Sequence, residues 1–163
     1  MNFLSKHFSF NELTGTSHAD LLARNRAEAA LFVWPLRRVA SELLQPIREG
    51  LGRPVNVTSG FRGKTLNARV GGSIVSQHCA GQAADFNVDG LGDRENQLRV
   101  MKWVLDSGIQ FGQLLLERGC IHISLPRGWR DGEVAEYDVP TMSKKPLDLS
   151  AVDLRPITKE KSA

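Results

Sequence analysis

No stretch of this chain approaches the roughly 18 to 20 consecutive apolar residues that a membrane span needs. The N-terminal "MNFLSKHFSFNEL" carries one lysine and no long apolar run, so it does not read as a secretory leader. A protein of this kind acting outside the cell membrane is expected to be delivered by another route. Cysteine is scarce: Cys79 and Cys120 are too few for a disulfide framework, and without a leader both are expected as free thiols. There is no internal repeat and no low-complexity block. The basic residues, Arg24, Arg37, Arg48, Arg53, Arg62, Lys64 and Arg69 among them, are scattered. No compact basic stripe interleaves with aromatics, which argues against a nucleic-acid partner. The net charge of +3 still permits attraction to an anionic polymer. What remains is ordinary for one globular domain with a real core: 163 residues, 41% apolar and 24% charged.

The elements follow from periodicity and punctuation. "FSFNEL" is an apolar entry, and Thr16 or Ser17 is a candidate cap for a short helix in "TSHADLLARN". From Glu28 to Gly50, apolar Leu31, Trp34, Val39, Leu43 and Ile47 recur at helical spacing, with Gly50 as the stop. Pro35 and Pro46 each either begin a new segment or kink this helix. "RPVNVTSGF" alternates and reads as a strand ending at Ser59-Gly60. "KTLNARVGGS" reads as a short helix closed by Gly71-Gly72. "AADFNVD" reads as a second strand with Ala84, Phe86 and Val88 on one face and Asp85 and Asn87 on the other. Asp93 caps a helix whose apolar side is Leu98, Met101, Trp103, Val104 and Leu105, and Gly108 ends it. Two further strands, Gln113 to Glu117 and Cys120 to Leu125, are joined by a tight turn at Arg118-Gly119. Beyond about Met142 the chain is polar, holds Pro146 and Pro156, and is expected either to wrap the surface or to be partly disordered. The order predicts an α+β fold, an antiparallel sheet packed with N-terminal helices, in one domain over 1–140 with a tail over 141–163.

Only four histidines are available. His7 and His18 lie in the N-terminal segment and are expected to pack or face solvent. His78 and His122 sit beside strand-like runs. A hydrolytic zinc site wants three protein ligands and one open position, and imidazole and carboxylate suit zinc. His78, Asp85 and His122 would supply such a set: Asp85 and His122 from two strands of one sheet, His78 from the connection. On spacing alone, local capping or hydrogen bonding by each residue is an equal reading.

Three ordered motifs bear on the choice. The first is Ser76, His78, Gly81, Ala83 and Asp85 in "SQHCAGQAAD". The second is Ser59, Gly60, Phe61 and Arg62, followed by Leu66-Asn67 and Gly71-Gly72. The third is Glu117 ahead of His122, Ile123 and Ser124. Together, over roughly residues 7 to 126, they resemble the zinc D-Ala-D-Ala carboxypeptidase family. That family includes phage peptidoglycan endopeptidases and shares its fold with the hedgehog signalling domain. The entry "FSFNEL" and the helix before "VNVTSGFR" look like its phage-type members.

The resemblance implies one zinc ion held by His78, Asp85 and His122. It implies Glu117 as general base and Arg62 as the group that binds a substrate carboxylate or the carbonyl near the scissile bond. Ser76 and Gln77 either touch substrate or shape the loop. The expected substrate is a peptidoglycan peptide, and membranes and nucleic acid are not expected partners. The expected setting is phage or prophage lysis, or a virion with phage tail proteins as partners: the protein waits in the host cytoplasm or on the virion and acts in the cell wall. One difficulty is parity. Glu117 and His122 are an odd number of residues apart, so a continuous strand would put them on opposite faces unless the Arg118-Gly119 turn intervenes. The departure is Cys120, where many family members carry an aromatic residue or a histidine. It is either a small buried replacement or a fourth ligand that would close the site. The latter would make the chain a non-catalytic zinc-stabilised module of a phage tail or wall-binding assembly.

Overall fold

The computed structural model describes residues 3–128, 131–138, 141, 143–154 and 157. The chain begins with a one-turn helix, α1 (Phe10–Leu13), that a reciprocal capping box holds. The Ser9 hydroxyl accepts from the Glu12 amide at 3.2 Å, and the Ser9 amide donates to the Glu12 carboxylate at 2.8 Å. α2 (Ala19–Ala29) starts from His18, not from Thr16 or Ser17; the Thr16 hydroxyl instead accepts from the His18 amide at 3.1 Å.

A near-continuous helical run follows, and its irregularities track its prolines. A 3-10 turn (Ala30–Phe32) leads into α3 (Val33–Arg38), which takes Pro35 in its first turn, where a missing N–H leaves no hydrogen bond unmade. A π-helical turn (Val39–Leu44) then precedes α4 (Gln45–Leu51), with Pro46 at the start of α4. Pro46 cannot donate to the preceding turn, and the chain widens by one residue there, so that the Gln45 amide bonds to the Ala40 carbonyl. The 3-10 turn rotates the apolar stripe. Val39, Leu43 and Ile47 are fully buried as the spacing predicts, but Leu31 and Trp34 are 86% and 70% exposed. The stop also differs from expectation. Gly52, at φ 62°, closes α4, while Gly50 serves packing: a Cβ there would sit 2.3 Å from the Trp103 ring.

Six strands form one sheet in the order β1-β2-β4-β3-β5-β6. They are β1 (Val55–Ser59), β2 (Ala83–Val88), β3 (Gln113–Glu117), β4 (Cys120–Ser124), β5 (Glu133–Asp138) and β6 (Ser143–Pro146). All neighbours are antiparallel except β3 and β5, because the chain leaves β4 and crosses the start of β3 before pairing on its far side. α5 (Lys64–Arg69) follows β1, and α6 (Arg94–Asp106) follows β2, capped by Asp93 with its carboxylate accepting from the Asn96 amide at 2.9 Å. In α6 the core face is Gln97, Val100, Met101 and Val104; Leu98 and Trp103 pack at its margin and Leu105 is exposed.

The sheet has one apolar and one polar face. Ala84, Phe86, Leu114, Leu116, Ile121 and Ile123 point into the core against the helices. Removing one such ring, as in Phe86→Ala, costs about 3–5 kcal/mol. The alternate positions, Asp85, His122, Leu115 and Glu117, face the other way, which places the chemistry on the side the helices do not cover. Past residue 141 the chain does more than wrap the surface. β6 extends the sheet, Leu149 and Ile157 are buried in the core, and the Ile157 carbonyl accepts from Arg53 Nε at 2.7 Å. Met142 and Pro156 lie outside the described residues.

Candidate metal centre

The site begins at a close approach of two backbone segments. Gly60, just past β1, lies against α1 so tightly that a Cβ would come 2.2 Å from the Leu13 carbonyl oxygen. That contact lets the Phe61 amide donate to the Leu13 carbonyl at 2.7 Å. Asn25 locks the segment from α2. Its amide nitrogen donates to the Thr14 and Phe61 carbonyls, at 3.0 and 3.1 Å, and its oxygen accepts from the Gly63 amide at 2.8 Å. The Gly60 carbonyl is thereby aimed at His78, whose Nδ1 lies 2.7 Å away. A carbonyl can only accept, so Nδ1 carries the proton and Nε2 presents its lone pair.

His78 itself rides a 3-10 turn (Gln77–Ala80). The Ser76 hydroxyl accepts from the His78 amide at 3.3 Å, and Gly81, at φ 64°, closes the turn. Asp85 on β2 and His122 on β4 are direct cross-strand partners. Three atoms converge: His122 Nδ1 is 2.8 Å from Asp85 Oδ1 and 3.2 Å from His78 Nε2, and the last two are 3.2 Å apart. Among the described residues these three form the group whose ligand atoms all lie within 4.8 Å of one another, and all three are buried.

The donor set fits a metal ion. Zinc bonds of about 2.0–2.2 Å in tetrahedral geometry put ligand atoms roughly 3.3 Å apart, close to the triangle observed. The protonation states agree. Burial disfavours a charged His78 and pushes its pKa below 6.5, so its lone pair stays free. Burial also works against the Asp85 charge, yet His78 and His122 outweigh it and hold the carboxyl well below the usual carboxylate range. Three protein ligands leave a fourth position open toward a cleft of about 620 Å³.

The other expected site residues divide around this triangle. Glu117 shares the cleft, because the two-residue Arg118-Gly119 turn pairs Glu117 with Cys120 and Leu115 with His122. Directly paired residues share a face, so in this hairpin an odd separation brings Glu117 to the side of His122. Burial pushes the Glu117 carboxyl above its ordinary value, and His122 opposes that rise. Arg62 lines the cleft; its amide donates to the His78 carbonyl at 3.2 Å, and its buried Nε has no hydrogen-bond partner among the described residues. Gln77 Nε2 donates to the Ser124 hydroxyl at 2.9 Å, so Gln77 as well as Ser76 shapes the loop while lining the cleft.

Cys120 faces the same side as His122 but is outside the triangle. Its thiol bonds to Thr58, and burial, with Asp85 and Glu117, pushes its pKa up to about 12. Cys79 is half-buried and free, and it too is outside the group. His7 bonds to Gln45 at 2.8 Å and His18 caps α2, so neither joins the site.

Residues 6–124 match the Peptidase M15 family. The chain belongs to that family. Over 71 residues it is also 37% identical to a zinc D-Ala-D-Ala carboxypeptidase of Streptomyces albus G, a match that covers 43% of this chain and 25% of that protein. In this Peptidase M15 chain the family match ends with β4, yet the cleft does not. Arg127, Asp131, Tyr137 and Lys144 line it from beyond Ser124. Sequence reading missed these four. The faint signal was the alternation of Ala135 and Tyr137 in "EVAEYD".

Proposed function

We propose that this chain is a zinc-dependent peptidase that hydrolyses a peptide bond in bacterial peptidoglycan. The observation that carries the reading is the triangle of His78, Asp85 and His122 at the base of an open cleft that also holds Glu117 and Arg62. Zinc held there supplies a Lewis acid and a water of lowered pKa. The chain's own groups do the rest. Glu117, ionised, accepts the proton of the attacking water and returns it to the departing amine. Arg62 donates its planar fork to the substrate, at a carboxylate or at the carbonyl oxygen where negative charge develops. Ser76 and Gln77 hold the His78 loop and stand within the same cleft.

The finer setting, a phage or prophage lysis enzyme or a virion component with tail proteins as partners, is supported by the phage-type resemblance of the entry segment. In that setting the protein waits in the host cytoplasm or on the virion and acts in the cell wall. The non-catalytic alternative needs Cys120 on the metal, and the position of Cys120 outside the converging ligand atoms speaks against it. Digestion of purified peptidoglycan with and without chelator, with products identified by mass, tests the reading. Fragments should appear only when zinc is present, and their masses name the bond. Absence of any chelator-sensitive cleavage refutes it.

A further inference from the structure

The metal ligands are fixed by polar contacts, from the Gly60 carbonyl to His78 and between Asp85 and His122. Glu117 is not. Among the described residues no hydrogen bond or ion pair holds its carboxylate. A general base must still be aimed closely at the proton it takes, so packing has to aim it.

Glu117 has two directions open to it. It stands on a ridge between the cleft and a second cavity of about 620 Å³, and it lines both. The second cavity lies past the end of β3, beside Gly92, Arg94, Arg118 and Lys145. Charge does not choose between the two sides. Arg62 and Lys144 line the cleft, Arg118 and Lys145 line the second cavity, and a carboxylate is attracted either way. The hairpin turn fixes the backbone of Glu117 but leaves its side-chain torsions free.

The flanking strands narrow the choice. Cross-strand pairing sets Cys120 on one flank of Glu117. The parallel register that pairs Leu116 with Glu136 sets Tyr137 on the other flank, on the same face. Cys120 is small, and its thiol bonds to Thr58, away from Glu117. Tyr137 is the large neighbour, and among the described residues only Glu117 and Tyr137 line both cavities. Tyr137 is also remote from the metal ligands: β5 stands two strand spacings, about 10 Å, from β4 and its His122.

We propose that Tyr137 is a positioning residue whose ring stands against Glu117 on the side of the second cavity and keeps the carboxylate over the cleft. The proposal rests on the peptidase reading, which makes Glu117 the base. The family match stops at residue 124, so the side chain that aims the base lies outside it.

The test uses the zinc-loaded full chain as parent, Tyr137→Phe and Tyr137→Ala. Cleavage of soluble peptidoglycan fragments gives kcat and KM, native mass spectrometry confirms one zinc, and melting curves confirm folding. Tyr137→Ala should lower kcat by about 10–100-fold with KM changed by less than about twofold, because a misaimed base loses alignment and not substrate. Tyr137→Phe keeps the ring and should stay within about threefold of the parent. A crystal structure of Tyr137→Ala should show the Glu117 carboxylate turned into the second cavity; should that variant fail to fold, Tyr137→Leu takes its place under the same criteria. Parent-like kcat in the ring-less variant, or a Glu117 that still faces the cleft there, overturns the proposal. So does a loss that Tyr137→Phe shares, which assigns the role to the hydroxyl, or a rise in KM alone, which makes Tyr137 a substrate contact. A parent that cleaves nothing sinks the peptidase reading, and the direction of Glu117 in the crystal then decides the role of Tyr137 by itself.

Discussion

Gly60→Ala is the sharpest test of how the site is held. The added methyl carbon would lie 2.2, 2.8 and 2.9 Å from the carbonyl oxygen, carbonyl carbon and Cα of Leu13. All three are backbone atoms of a residue whose side chain is fully buried, so the clash cannot be relieved by a rotamer change. The segment after β1 must move off α1. Overpacking of this kind costs about 1–3 kcal/mol. The bond from the Phe61 amide to the Leu13 carbonyl, 2.7 Å in the native chain, is strained at about 1 kcal/mol more. A loss of about 2–4 kcal/mol in the metal-free protein follows. The Gly60 carbonyl also orients His78, so the same shift should weaken zinc binding by about 10–100-fold. Denaturant unfolding of the chelated protein reads the first effect, and competition against a chromogenic chelator reads the second. A variant with unchanged midpoint and unchanged zinc affinity refutes the account, because it would mean that neither the close approach nor the carbonyl matters.

Glu117→Gln should lower kcat by about 10²–10⁴-fold while zinc content, read by native mass spectrometry, stays at one ion; full activity would assign the base elsewhere. Chelated protein should lose stability as pH falls through 6.5. Burial lowers the folded pKa of His78, so the unfolded chain takes up a proton there that the folded chain refuses. Asp85 adds a second loss below its unfolded value of 3.8, since its folded pKa is depressed and the stability it contributes exists only above that range. Unfolding midpoints that stay flat between about pH 7 and pH 5 contradict the His78 assignment. Cys120→Ala should keep one zinc with affinity changed by less than about threefold, measured by chelator competition, whereas removing a true ligand costs far more.

The parts of the site that a sequence could reveal are those whose local pattern has one solution. "AADFNV" alternates cleanly, so Asp85 could be assigned to the face opposite Phe86 without knowing its neighbours. The wall beyond β4 had no such pattern. β5 carries charges at Glu133, Glu136 and Asp138, which fall on both faces and blur the period of two. β6, "SKKP", is exposed throughout, and its lysines and proline suit an edge strand rather than a core one. Its pairing is fixed by β5, a tertiary fact no local window contains. The helical run was misread at Leu31 and Trp34 for a related reason. A single 3-10 turn shifts the phase of everything on one side of it, and nothing in "AALFVW" announces that turn.

The parity of Glu117 shows how a topological detail decides chemistry. On one continuous strand an odd separation sends two side chains to opposite faces. Across a two-residue hairpin the same odd separation makes them co-facial, because the chain reverses and directly opposed residues share a side. Gly119, at φ 80°, permits that tight reversal. One residue more in the turn, placed without a compensating bulge, would shift β3 against β4 by one position. Every β3 side chain would then change face: Glu117 would turn toward the core as Leu114 and Leu116 turned out of it, and the cleft would lose its carboxylate while the ligand triangle, built from β2, β4 and the Gln77–Ala80 turn, kept its own pairing. Metal binding and proton transfer are therefore separable in this fold: the first depends on the β2–β4 register and the Gly60 carbonyl, the second on the length of one turn.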